Sequence, residues 1–186
     1  MSASEFETLQ IAESTKPSSS AASSSTSSSS SSINNVGESP LQSYIKEFQS
    51  LCAERAKTYA LFDKALKVYQ DDKDNVKYEA SCGEITKKFQ EISQGVNKVE
   101  ACLREMEAPH CIWAKSLRSI QLYEREKLQL TVQMNLIRIQ FTVMKQDEFN
   151  AEYSKLVTEL RGRIGEVVED INAVLEDIHA EFDFDA

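Results

Sequence analysis

Residues 78–106 read YEASCGEITKKFQEISQGVNKVEACLREM. Tyr78, Cys82, Ile85, Phe89, Ile92, Val96, Val99, Leu103 and Met106 are spaced in alternating steps of four and three. That average of 3.5 residues is the period at which a helix keeps one apolar seam turned toward a partner helix, and it holds for about four heptads. Gly83 and Gly95 lie off the seam. Each costs roughly 1 kcal/mol of helix propensity relative to alanine, so packing has to hold this helix. Ala108-Pro109 ends it.

Helical periodicity continues on both sides. Upstream, Leu41, Tyr44, Ile45, Phe48, Leu51, Cys52, Tyr59, Phe62, Leu66 and Tyr69 fall on one stripe. Ser39-Pro40 suits a helix start, and Asp71 to Asn75 reads as a polar turn. Downstream, Trp113 and Leu117 lead into Ile120, Tyr123, Lys127, Leu130, Met134, Ile137, Phe141 and Met144. A lysine on a seam either sets register or snorkels to the surface along its own stem, and Lys127 reads as the second. A fourth stretch runs through Phe149, Tyr153, Leu156, Leu160, Ile164, Val167, Ile171, Val174 and Ile178. Two steps of four follow one another at Leu156, Leu160 and Ile164, flanked by Gly162 and Gly165, which predicts a kink or a close helix–helix approach.

Four stretches of about thirty residues, each roughly 45 Å as helix, favour an up-and-down antiparallel bundle. The chain has 5 glycines and 3 prolines, less turn punctuation than a sheet protein usually needs. The expectation is an all-α, antiparallel coiled-coil-like bundle of three to four long helices. The third junction leaves the number open. Lys145-Gln146-Asp147-Glu148 has no glycine or proline, so Asp147 caps a new helix or one helix runs through and exposes its seam to a partner chain.

Residues 1–40 differ in kind. Serine dominates Ser14 to Ser32, with Pro17 and Pro40 near the ends. Such a segment cannot bury enough apolar surface to offset its chain entropy, which predicts a disordered arm. It also reads as a tract for multiple phosphorylation, or as a tether for a docking motif of Phe6, Leu9 and Ile11. The domain reading is therefore an arm over 1–40, a helical bundle over 41–180 and an acidic tail over 181–186.

The net charge of −9 and the pI of about 4.9 oppose strong direct binding to nucleic acid, where neutralising phosphate dominates affinity. Lys115, Arg118, Arg125, Lys127 and Arg138 gather in the third stretch, but Glu124 and Glu126 interrupt them, as on a salt-bridged helix face. The N-terminus lacks the basic and apolar regions of a secretory signal, and no stretch has the ~18 apolar residues that span a bilayer. An intracellular protein with reduced thiols follows. Cys52, Cys82, Cys102 and Cys111 form no CxxC pair, which speaks against zinc. Neighbouring helical residues point about 100° apart, so His110 is badly placed to activate Cys111. We find no phosphate loop, no nucleophile elbow and no apolar carboxylate pair, and so expect no enzyme and no cofactor. Glu166, Glu169, Asp170, Glu176 and Asp177 make an acidic helix face. Glu181-Phe182-Asp183-Phe184-Asp185 is either a solvated end or a docking peptide for a basic, apolar groove.

Several strings resemble one known family. Leu51-Cys-Ala-Glu54-Arg55-Ala-Lys-Thr-Tyr59-Ala-Leu61-Phe62, Glu84-Ile85-Thr86-Lys-Lys-Phe89, and Leu117-Arg118-Ser119-Ile120-Gln121 leading to Glu124 are similar to successive blocks of the "required for excision 1-B" domain family. The resemblance runs from about Leu41 to Leu136 and is weaker through Val174-Leu175-Glu176-Asp177-Ile178. The family takes its name from an algal gene needed for DNA repair, so the resemblance implies a nuclear repair role and carries over no catalytic residue. Glu54, Arg55, Glu84 and Arg118 are either cross-helix ion pairs or a partner-binding face, and Phe182 and Phe184 are further partner-binding candidates. The expected function is a non-enzymatic helical adaptor with protein partners, possible homo-oligomers and no membrane. The alternatives are a nucleic-acid-binding repair factor working through the third stretch and a cytoplasmic coiled-coil scaffold unrelated to repair.

Overall fold

The structure, a computed structural model of the chain, describes residues 39–108, 110–144 and 150–182. They form four long helices: α1 (Pro40–Asp72), α2 (Asn75–Arg104), α3 (His110–Met144) and α4 (Asn150–Phe182). Residues 1–38 of the arm predicted over 1–40, the third junction at 145–149 and the end of the tail at 183–186 lie outside the described residues, while Ser39 and Pro40 already belong to the start of α1.

Local chemistry starts and stops these helices. Ser39 caps α1: its Oγ accepts from Gln42 N–H at 3.2 Å, and Gln42 Oε1 accepts from Ser39 N–H at 3.2 Å. Pro40 follows at the first helical position, where a missing N–H costs nothing. Lys73 ends the helix in a left-handed conformation, φ 58°, and donates its N–H to Tyr69 O at 2.9 Å. Asp74 then caps α2 by accepting from Lys77 N–H at 3.1 Å. The polar turn read from the sequence is thus two residues long, which forces α1 and α2 into an antiparallel hairpin.

Side-chain pairs fix the directions of the others. Tyr69 meets Tyr78 and Tyr59 meets Phe89 across the hairpin. Trp113 shares a small cavity with Val99 and Leu103, and Gln121 further along reaches Ser93 and Asn97, so α3 runs back along α2. Phe141 stacks on Tyr153 at 4.0 Å and Arg163 lies 3.5 Å from Glu126, so α4 runs back along α3. The chain therefore folds back after Met144, and four helices rather than three make the bundle. One core cluster joins all four helices through Phe48, Val96, Val99, Trp113, Leu117, Ile120, Leu130, Leu160, Val167 and Ile171. A smaller one at the α1–α2 turn joins Phe62, Cys82, Ile85, Phe89 and Val132.

The α2 seam buries as its spacing predicts, from Cys82 to Leu103. The α4 reading needs correction. Leu156 is 41% exposed and Val157 only 8%. Taken through Val157, the seam runs 153, 157, 160, 164, 167, 171, 174 and 178 in unbroken steps of four and three, so there is no slip to absorb. A Cβ added at Gly162 or Gly165 would have nothing within 4 Å, so no close approach occurs there either. The close approach is at Gly95, where an added Cβ would sit 2.8 Å from Leu51 Cδ2. Glycine lets α1 come near α2 at that level.

Candidate functional site

Two features within α1 to α3 stand out from ordinary core and ordinary surface. The first is a polar group in the middle of the bundle. Phe48, Arg55, Phe62 and Tyr69 are seven residues apart and all buried, which puts Arg55, 4% exposed, on the α1 seam. Its Nη2 donates to Gln121 Oε1 at 2.7 Å. Gln121 in turn donates its Nε2 to Ser93 O and Asn97 Oδ1, both at 3.1 Å. Arg55 Nη1 is buried with no hydrogen-bond partner among the described residues. One turn along, Tyr59 OH donates to Glu124 Oε2 at 3.2 Å, Lys127 Nζ donates to Glu124 Oε1 at 2.8 Å, and the ammonium sits 4.4 Å from the Tyr59 ring centroid. Lys127 does not snorkel. Its side chain is 16% exposed, held inside by the carboxylate and the ring face.

Burial and the adjacent Glu124 push the Tyr59 hydroxyl far above the ordinary tyrosine range. Burial likewise raises the Cys52 thiol, against the pull of Arg55. A thiol held protonated is a poor nucleophile, and the hydrogen bonds of the cluster link α1, α2 and α3. His110 is equally unsuited to serve Cys111. Its ring meets Trp113 edge-on at 5.1 Å and its Nδ1 lies 3.3 Å from Glu107 O. Among the described residues, no group of three or more His, Cys, Asp or Glu is placed to hold a metal ion, and no helix is long and apolar enough to cross a membrane.

The second feature is a groove on the α1–α2 hairpin enclosing about 200 Å³, lined by these two helices and by Asp74 in the turn between them. Leu61 and Val68, one heptad apart, are 41% and 42% exposed, and Tyr69, Tyr78 and Ile85 form the apolar floor. Lys64 and Lys88 stand on its walls without an ion-pair partner among the described residues, whereas Lys77 is held by Asp72 at 3.1 Å. Leu61 and Val68 thus stand half in water beside ammonium groups that form no salt bridge among the described residues, with Glu84 on the same lining.

A profile of the DNA repair REX1-B family matches residues 43–138. The chain belongs to the DNA repair REX1-B family. No curated protein and no solved structure matches it. The REX1-B match covers nearly all of α1, the whole of α2 and most of α3, so both the polar cluster and the groove lie inside the family segment, and α4 lies outside it.

Within that segment the four charged candidates separate. Arg55 belongs to the core. Glu54 is exposed and pairs with Lys57 at 2.6 Å, which holds its carboxyl below the usual range. Glu84 is exposed and lines the groove. Arg118 is exposed on α3 and does not line the groove. Phe182 is the last residue of α4, and Phe184 lies outside the described residues. Of the basic residues grouped in the third stretch, Lys115 and Arg118 are exposed, whereas Arg125 and Arg138 are half-buried and Lys127 is turned inward.

Sequence reading missed Gln121, Leu61 and Val68 as a set. A signal for the first existed: position 55 continues the Phe48, Phe62 and Tyr69 heptad, so a charge there demands a polar partner on a facing helix. The groove left a fainter trace, because Leu61 and Val68 look like scattered surface residues until α2 is laid beside them.

Proposed function

We propose that this protein is a non-enzymatic protein-binding subunit of a nuclear DNA repair assembly, and that it docks its partner in the α1–α2 groove. The observation that carries this reading is the pair of half-exposed aliphatic residues, Leu61 and Val68, over an apolar floor flanked by Lys64 and Lys88, which form no salt bridge among the described residues, inside the segment that matches a repair family. A partner helix with apolar anchors at i, i+3 or i+4 and carboxylates beside them would fit in the helix-in-groove manner. A groove of this size accepts one or two anchors, which is where binding energy concentrates.

The test is recovery of a protein partner by the full-length chain from cells with damaged DNA, compared with the same chain carrying Leu61→Asp and Val68→Asp. Both positions face water on one side, so the variant should keep its helix content. The expected result is a defined partner bound by the wild type and lost with the variant. A partner retained equally by both would refute the groove. Duplex or single-strand DNA binding by the purified chain that weakens steeply with salt would point instead to direct contact with nucleic acid.

A further inference from the structure

We propose that the α1–α2 groove is occupied, in the isolated protein, by residues 5–13 of the same chain. This inference rests on the groove being a docking surface, as argued above, and names its resident occupant. The groove offers two exposed aliphatic anchor sites, an apolar floor and two ammonium groups, Lys64 and Lys88, that form no salt bridge among the described residues and outnumber the unpaired carboxylate of Glu84 on the same lining. Residues 5–13 read EFETLQIAE. They bring Phe6, Leu9 and Ile11 together with Glu5, Glu7 and Glu13 and contain no lysine or arginine. Phe6 and Leu9 stand i, i+3, the spacing by which a helix presents anchors to a groove, and the carboxylates complement the lysines.

The length of chain decides between this segment and the acidic tail. Leu61 lies about 33 Å along α1 from Ser39, at 1.5 Å per residue. The serine-rich stretch between Glu13 and Ser39, roughly 26 residues, has a relaxed span of about 25–30 Å and a contour near 90 Å. The span matches the distance, so the effective concentration of the segment at the groove is near its maximum, in the range of about 1 mM for flexible tethers. The tail cannot do the same. Ile178 and His179 share a small cavity with Tyr44, Ile45 and Phe48 at the start of α1, about 24 Å along the helix from Leu61. The last four residues span at most about 14 Å. Phe182 and Phe184 could therefore fill the groove only of a second copy.

Self-occupancy means that a partner has to displace residues 5–13, which lowers its apparent affinity in proportion to how rarely the groove stands open. The test is photo-cross-linking of the purified full-length chain at micromolar concentration, with p-benzoylphenylalanine at position 61 and, separately, at 68. The expected product keeps the mass of one chain and joins the probe to the peptide containing Phe6 to Ile11. Phe6→Asp with Leu9→Asp should reduce it about tenfold or more, the ratio that 1.4 kcal/mol produces. Lys64→Glu with Lys88→Glu should reduce it several-fold at unchanged helix content. Products confined to α1 and α2, or a doubled mass joining the probe to the tail of a second chain, would overturn the proposal. A groove free of residues 5–13 that still captures the repair partner sinks self-occupancy alone. A groove that holds them yet recovers no partner sinks the docking reading alone.

Discussion

Arg55 is the residue on which the interior turns. A buried guanidinium is costly wherever a donor goes unmet, and Arg55 keeps Nη1 without a partner among the described residues while a neutral amide, Gln121, accepts from Nη2 and passes the constraint on to α2 through Ser93 and Asn97. Gln121→Ala should therefore cost about 2–4 kcal/mol in urea unfolding, because it strands the charge. Arg55→Met combined with Gln121→Leu should cost less than Gln121→Ala, since the whole polar pair leaves together. A loss below about 0.5 kcal/mol for Gln121→Ala, typical of a surface change, would contradict this. Tyr59 supplies a pH signature. Unfolded, it ionises near pH 10. Folded, burial and Glu124 hold its ionisation well above that. Its contribution is thus complete below pH 10 and is lost above it, by about 1.4 kcal/mol per pH unit, as only the unfolded chain releases the proton. Burial raises Tyr78 in the same direction. Unfolding measured at pH 9 and pH 11 should show a smaller loss in Tyr59→Phe than in the wild type. Equal losses would mean that Tyr59 ionises freely in the fold.

At the scale of elements, the heptad is the fact the sequence displays most openly. The α2 seam is visible because its charged residues all fall between seam positions, and the α1 cap is visible because Ser39, Pro40 and Gln42 are neighbours in the chain. What stayed hidden depends on choosing between adjacent apolar residues. Leu156 and Val157 are both hydrophobic, and only the partner helix decides which one turns inward. Val157→Asp should destabilise by about 3 kcal/mol or more, since it buries an unpaired carboxylate, whereas Leu156→Asp should stay below about 1 kcal/mol. Thermal unfolding followed by circular dichroism distinguishes them, and a reversed order would restore the slipped seam. The α3 helix was hard to read for a related reason. It is packed on α2 and α4 and touches α1, so its apolar residues surround it and a single stripe underdescribes it: Val132 serves the α1–α2 cluster while Ile137 serves the cluster that includes α4.

At the scale of the whole molecule, the family segment supplies three helices, a polar cluster that links them and an outward groove, and α4 packs along α3. The bundle and its repair family are legible from spacing and local strings, but the groove is a property of two helices laid side by side and has no sequence signature of its own. This groove is the working surface we propose for the protein. Survival after DNA damage, in cells lacking the protein and supplied with either wild type or the Leu61→Asp, Val68→Asp variant at matched expression and helix content, tests it most directly. The variant is expected to fold, with helix content and thermal midpoint close to wild type, and to fail to restore survival. Full restoration by the variant would contradict it.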